Sequence, residues 1–343
     1  MGFNITTAGL PTVEQYDVNR SIIEPIFMGQ DYMQYMEVLP NIKGTTVIDK
    51  FNQLGKITKA FTNGAFDGDS STAAQGATIT ITPSRVEAEI EFRANELFNK
   101  MKGQLMRGQH DFDNVDGTIV KNILLDLIGQ GVKADFNRQV WLSDVAEADA
   151  NYGIYDGIFQ VAREAGATAL TSASLDASTQ DDGAALVAGN ALDILKKLYD
   201  NASPELLEAG NHVFFVSGDI ADDYMASTLE SSNFAAAGYG ALVNGVPQLT
   251  YRGIPLIVRR DWDVAIAADF AEINGQNAAA ETHRAMLTTK DAFVVGTDFD
   301  ENSVEQWYSQ DNKAYRFRVS YMVGVALKDA KLAVYYTPDA IAV

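Results

Sequence analysis

Hydrophobic and polar residues alternate with a period of two through much of residues 45–92. Val86, Ala88, Ile90 and Phe92 fall on one face of an extended chain, and Arg85, Glu87, Glu89, Glu91 and Arg93 on the other. Such alternation marks a strand with one buried face. Thr78-Ile79-Thr80-Ile81-Thr82 repeats it just upstream, and a looser outgoing run carries Val47, Ile48, Phe51, Ile57, Ala60 and Phe61. The tip between them, 62–76, holds Gly64, Asp67, Gly68, Asp69, Ser70 and Ser71. The pattern predicts one long hairpin from Thr45 to Phe92. A two-stranded ribbon is marginal in water by itself, so the hairpin must lie on the body of its own chain or on a neighbouring subunit. A peripheral hairpin on an ordinary enzyme is the commoner case and needs no neighbour.

Elsewhere the pattern predicts an α+β chain. Residues 1–42 read as an extended arm with a short helical piece, punctuated by Pro11, Pro25 and Pro40. A short helix is expected over Glu96–Met106. The strongest helix spans Asp116 to about Ala148, with Ile119, Val120, Ile123, Leu124, Leu127, Ile128, Val132, Phe136 and Val140 at helical spacing. At that length it would reach roughly 40–50 Å. Residues 151–180 read as irregular. A helix follows over about 184–201, then an apolar strand over His212–Val216 and a helix capped by Ser217 or Asp219. Gly238–Gly245 reads as a loop and Gly253–Val258 as a turn into a strand. Ala285–Leu287, Ala292–Val295, Tyr315–Leu327 and Lys331–Tyr336 read as further strands.

The 343 residues are 47% hydrophobic and 21% charged, enough for a sizeable core. Lys+Arg is 26 and Asp+Glu is 46, a formal net charge of -20. Such acidity opposes gripping nucleic acid by phosphate neutralisation, but not enclosing it. No cysteine is present, which excludes disulfides, thiolate catalysis, iron–sulfur clusters and cysteine zinc sites. No apolar run approaches the roughly 20 residues of a membrane span, and no membrane partner is expected. The N-terminus lacks the pattern of a signal peptide. Gly2 and Thr6 fit the loose N-myristoylation pattern, which arises often by chance.

A search for an active site finds little. His110, His212 and His283 are far apart and form no HExxH pair; there is no GxSxG, phosphate loop or GxGxxG. Asp111, Asp113 and Asp116-Gly117 miss the calcium-loop register at Val115. Asp298, Asp300 and Asn302 miss it at Ser303 and Ser309. No catalytic residue, metal or cofactor is assigned. The densest basic cluster is Lys100, Lys102 and Arg107; a solvated helix face or intersubunit ion pairs explain such clusters more often than nucleic-acid recognition does.

The ordered set of elements resembles the major capsid proteins of tailed bacteriophages, the Hong Kong 97-like fold. Ala88–Leu97 resembles the strand that leaves the extended loop. Phe136–Trp141 with Asp156-Gly157-Ile158-Phe159 resembles the end of the spine helix and the turn after it. Phe214–Ser217 and Tyr251–Leu256 resemble axial-domain strands, and Val319–Ala326 and Lys328–Tyr336 the closing strands. The resemblance implies an N-terminal arm (1–42), an extended-loop hairpin (43–93), a peripheral domain with the spine helix (94–183, helix about 116–148), an α/β axial domain (184–300) and return strands (301–343). It implies a non-enzymatic subunit that assembles with itself into pentamers and hexamers of a shell in the virion. The shell forms in the host cytoplasm and encloses double-stranded DNA without sequence-specific binding, with scaffold, portal and decoration proteins as further partners. An initial Met1 favours a separate scaffold over processing of this chain.

Expected intersubunit contacts are Lys56, Lys59, Val86, Glu87, Ile90 and Phe92, with Lys100, Lys102 and Arg107 as the DNA-facing cluster. Some relatives crosslink a hairpin lysine to an asparagine; Lys56 or Lys59 with Asn302 or Asn312 would be the pair here, although most relatives form no such bond. Two rival readings are an encapsulin-type compartment of the same fold and an acidic α/β enzyme with an unrecognised carboxylate site. The arm with Pro11 and Pro25 differs from the N-terminal helix of encapsulins.

Overall fold

The computed structural model describes residues 32–51, 76–93, 119–147, 149–176, 190–230, 242–243, 246–247, 249–269, 282–290, 292–298, 303–309, 311–312 and 314–338. In chain order these form β1 (Glu37–Leu39), β2 (Thr46–Phe51), β3 (Gly76–Ile81), β4 (Ser84–Arg93), α1 (Ile119–Leu142), α2 (Ile158–Glu164), β5 (Thr168–Leu170), α3 (Asn190–Asp200), α4 (Pro204–Glu208), β6 (His212–Ser217) and α5 (Gly218–Glu230). Then come β7 (Leu242–Val243), β8 (Val246–Pro247), β9 (Thr250–Tyr251), β10 (Ile254–Arg259), α6 (Arg260–Asp269), β11 (Ala285–Thr289), β12 (Phe293–Thr297), β13 (Ser303–Ser309), β14 (Ala314–Leu327) and β15 (Ala333–Tyr336).

Two larger sheets organise the body. The axial sheet has the order β5-β15-β11-β6-β10-β9. Its strand β6 reads as continuously apolar because both faces are covered. Val213 and Phe215 point into one core with α1 and α2; Phe214 and Val216 point into another with α3 and α5. The second sheet is built on β14. One edge carries β4; the other carries β13 along its first half and β12 along its last, with β1 beyond β12. The turn from β9 to β10 places Arg252 at φ 50° and Gly253 at φ 82°, the left-handed pair that a tight hairpin requires.

The hairpin departs from its expected form. Its return strand is β3, paired with β2 from Thr46↔Ile81 to Phe51↔Gly76. Residues 84–93 leave it and run along β14 instead. Ile48, Ile79 and Ile81 turn inward onto Ile42, Val294 and Ala326, while Val47 is 55% exposed on the outer face. The threonine–isoleucine alternation therefore reads correctly as outward and inward.

Spine helix α1 ends at Leu142, before the expected Ala148. The following loop folds back on it. Ser143 N donates to Gln139 O, Gly157 N to Ser143 O at 2.7 Å, and Val145 N to Asp156 Oδ1 at 3.0 Å. Gly157 is required there, since a Cβ would lie 2.9 Å from the backbone of Trp141 and of Ser143. The stretch read as irregular contains α2 and β5, and α6 and β13 are additional elements. The expected helix at 96–106 and the Asp116 cap lie outside the described residues.

The crossing from β3 to β4 passes directly over β14. A Cβ on Gly324 would stand 2.9 Å from Thr82 O and 3.0 Å from Pro83 Cα. Gly324→Val should lift this crossing and destabilise the subunit by about 1–3 kcal/mol. Urea unfolding should show the loss, and limited proteolysis should cut earliest near residues 82–84.

Candidate functional site

Strands β4, β14 and β13 form a three-stranded blade whose two faces differ in kind. On the inner face Val86, Ala88, Ile90 and Phe92 stand opposite Tyr321, Val319, Phe317 and Tyr315. Val86 is buried, and Ala88, Ile90 and Phe92 pack against the core. Phe92 and Phe317 meet edge to face at 6.0 Å. On the outer face Glu89 stands opposite Arg318 and Glu91 opposite Arg316. Arg318 reaches Glu87 and Glu89 at 2.5 Å and Glu305 at 3.8 Å, and Arg316 reaches Glu91 at 2.8 Å. The Arg318 hydrogen bond and charge hold the Glu89 carboxyl below its ordinary range. Trp307 of β13 lies beside Arg318, ring centroid to guanidinium 5.6 Å, and is 37% exposed.

Of the two surfaces expected to cover this strand, the body of its own chain and a neighbouring subunit, the inner face takes the first. Val86, Glu87, Ile90 and Phe92 all find partners within the subunit. Alternation in a sequence shows that one face is buried, not by whom. The covering strand lies more than 220 residues downstream, where Arg316-x-Arg318 carries the same period of two as Glu87-x-Glu89-x-Glu91. Lys56, Lys59, Lys100, Lys102, Arg107 and Asn302 lie outside the described residues; Asn312 is exposed in the turn between β13 and β14.

A second place resembles a binding crevice. Strands β6 and β10 are adjacent and parallel, and each leads directly into a helix, α5 and α6. In open α/β sheets ligands settle at such carboxyl ends, near helix N-termini. Here the chain's own carboxylates occupy them. Asp263 Oδ2 accepts from Gly218 N at 2.7 Å, so the start of α5 is held from α6, not by Ser217 or Asp219 alone. Asp219 accepts from Thr282 Oγ1 at 2.8 Å and Ile220 N at 2.7 Å, and bonds the Ser217 hydroxyl and His283 Nδ1. Burial pushes the Asp219 carboxyl up, but His283, Ser217 and Thr282 outweigh it and hold it at about 2.

Serine, histidine and aspartate thus meet without forming a nucleophilic triad. Ser217 and His283 each turn to Asp219 rather than to one another, and both are buried. No local pattern announces this junction, because its members come from three separate segments.

Among the described residues, no group of three or more histidines, aspartates or glutamates is placed to hold a metal ion. Asp298 is buried just after β12 and Ser309 ends strand β13, while Asp300 and Asn302 lie outside the described residues. No described helix is long and apolar enough to cross a membrane. A groove of about 330 Å³ runs between β3, α2 and β14, with Val161, Val325 and Leu327 among its apolar walls and Asp156 and Glu164 at its polar ones.

The body is α+β, with the long helix α1 packed on the axial sheet and a hairpin anchored at its base. No protein-family model matches the chain, and no curated protein sequence does. Solved structures do match. A chain of the satellite phage P4 procapsid, a particle that includes the size determination (Sid) protein, covers 97% of this chain and 93% of its own length, at a TM-score of 0.57 and 9% identity. A chain from Mycobacterium phage Ogopogo covers 90% and 92% at a TM-score of 0.58 and 11% identity. A chain from the capsid of an empty GTA particle covers 99% and 96% at a TM-score of 0.51 and 11% identity. The fold is the Hong Kong 97-like fold of tailed-bacteriophage major capsid proteins.

Because the inner face of β4 is internal, Val86→Asp should damage the subunit itself. A carboxylate among Tyr321 and Val319 is expected to cost about 2–4 kcal/mol. The check is urea unfolding of the unassembled protein.

Proposed function

We propose that this chain is a major capsid protein, assembling with copies of itself into pentamers and hexamers of a closed shell around double-stranded DNA. The observation that carries the reading is the match of fold over at least nine-tenths of both chains to the P4 procapsid and GTA capsid structures. The role is structural rather than catalytic, and the shell is the chain's place in the virion after assembly in the host cytoplasm. Scaffold, portal and decoration proteins are its proposed partners. In this reading the first part of the arm (1–42) and the β2–β3 part of the hairpin (43–93) reach neighbours, while residues 32–39 and 84–93 pack on the subunit's own body; the spine and peripheral part (94–183) and axial part (184–300) form the wall, and the return strands (301–343) tie them together.

The hairpin supplies physical support. The β2–β3 ribbon rests on the body through Ile48, Ile79 and Ile81, while Val47, Thr78 and Thr80 face outward. A ribbon of this kind gains stability from a further surface, and a second copy in a heterologous ring provides one. Lys56 and Lys59, which fall between β2 and β3 in the sequence, are proposed to face that neighbour. Lys100, Lys102 and Arg107 are proposed to face DNA.

Static light scattering and negative-stain microscopy of the purified protein should show capsomers or closed particles. A monomer at every concentration and salt, co-expressed with its genomic neighbours or not, would overturn the proposal. Particles filled with a protein cargo instead would point to an encapsulin-type compartment. Val47→Asp should leave the subunit folded, since Val47 is 55% exposed, yet reduce particle yield. Self-repulsion at a net charge of -20 should make assembly faster at high salt, as the screening length falls from about 10 Å at 0.1 M to about 3 Å at 1 M.

Free subunits should bind duplex DNA more weakly than about micromolar at physiological salt and without sequence preference. The salt dependence should be shallow, roughly 0.9 log unit per phosphate neutralised. Filter binding across a salt series checks this; tight, sequence-selective binding would indicate a dedicated nucleic-acid-binding protein.

A further inference from the structure

The junction of α5 and α6 brings two carboxylates together under unequal conditions. Asp219 is saturated: Thr282 Oγ1, Ile220 N, the Ser217 hydroxyl and the His283 ring all bond it. Asp263, from the first turn of α6, has one oxygen on Gly218 N at 2.7 Å. Its other oxygen, Oδ1, is buried with no hydrogen-bond partner. The approach is close: a Cβ on Gly218 would stand 2.6 Å from Asp263 Oδ2.

The surrounding cations are engaged elsewhere. Arg260 forms a two-pronged pair with Asp222 at 2.7 and 2.9 Å, Arg259 pairs with Asp261, and His283 pairs with Asp219. An ionised Asp263 would therefore set a half-buried charge against Asp219, offset by the α5 N-terminal amides, the His283 charge and the Arg260 charge, whose guanidinium is already paired with Asp222.

We propose that the Asp219–Asp263 junction is a proton-operated latch, in which a proton on Asp263 keeps the N-termini of α5 and α6 pinned and its release to solvent opposes two carboxylates and loosens α6. The step is a simple ionisation of the Asp263 carboxyl, with the proton passing to water. Burial first, and the Asp219 charge second, raise the Asp263 carboxyl to about 7. A group raised above its unfolded value of roughly 4 stabilises fully below that value and loses its contribution as pH rises through about 7. The movable part is not peripheral. Helix α6 carries Trp262, whose ring lies 4.8 Å from that of Trp141 on α1, so the latch sits at the joint between the axial sheet and the spine helix. The latch itself does not depend on the proposed shell role.

Amide hydrogen exchange on the full-length protein between pH 5.5 and 8.5, referenced to intrinsic exchange, tests it. Opening at Gly218, Asp219 and α6 should increase about tenfold from pH 6 to pH 8, while amides of β14 stay level. The Asp263 carboxyl, followed by carbon NMR in the wild-type protein, should titrate near 7. Asp263→Asn keeps an acceptor for Gly218 N and has no proton to lose, so its exchange profile should be flat. A flat wild-type profile, an Asp263 midpoint in the ordinary carboxylate range, or a pH response retained in the Asn variant would each overturn the latch. The two wild-type measurements decide the matter if the variant does not fold. None of these readouts involves assembly, so failure of the shell reading would leave them intact.

Discussion

Everything in this fold is hung on the aromatic cluster around Trp141. The indole stands at the end of spine helix α1 and is fully buried. Its ring meets Trp262 of α6 at 4.8 Å, Phe215 of β6 at 5.0 Å, Tyr32 of the arm at 5.6 Å and Phe159 of α2 at 5.9 Å. Edge-to-face and tilted rings of this kind add specific geometry to a large buried area. Four segments scattered from residue 32 to residue 262 thereby converge on one side chain, and the spine cannot change its angle to the axial sheet without disturbing all of them. Outside the cluster, Tyr152 of the folded-back loop donates to Asp269 at 2.5 Å, and Arg138 of α1 pairs with the same carboxylate at 3.2 Å, a polar strut between the same two bodies.

The blade solves a different problem. Strand β14 is flanked on both edges, and its inner residues interleave with those of β4 and β13 to form part of the main core. On the outer face, charge decides the pairing. Glutamates on β4 and arginines on β14 stand opposite one another, so a shift of one residue would both expose the apolar side chains and bury the charged ones. Each exposed ion pair is weak alone. Their value is in fixing the register of a strand whose partner is far away along the chain.

The sequence made the faces legible and left the partners hidden. The alternation from Val86 to Phe92, the helical spacing from Ile119 to Val140 and the apolar run at His212–Val216 each identify an element and its buried side. None states which distant segment covers it, which is why β4 read as half of the hairpin. Helix α6 escaped notice because Arg260-Asp261-Trp262-Asp263 shows charge before periodicity, and β13 because its inner positions include Gln306. The junction of Asp219, Asp263 and His283 is assembled only by the adjacency of β6, β10 and β11. The family resemblance rests on the order of elements rather than on any motif, and the similarity to the solved structures is likewise one of fold, at identities of 9–11%.

Strand β14 has a mechanical consequence as well. Its 14 residues span about 46 Å at the usual strand rise of 3.3 Å per residue, and the hydrogen bonds to β4, β13 and β12 lie across that axis. Tension along the strand loads these bonds together, in shear, so none can fail without the others. The β2–β3 ribbon, gripped among the described residues at Ile48, Ile79 and Ile81, can instead be peeled from the Phe51–Gly76 pair inward, one pair at a time. The molecule thus couples a stiff girder to a compliant strap, and the crossing over Gly324 is where one hands load to the other.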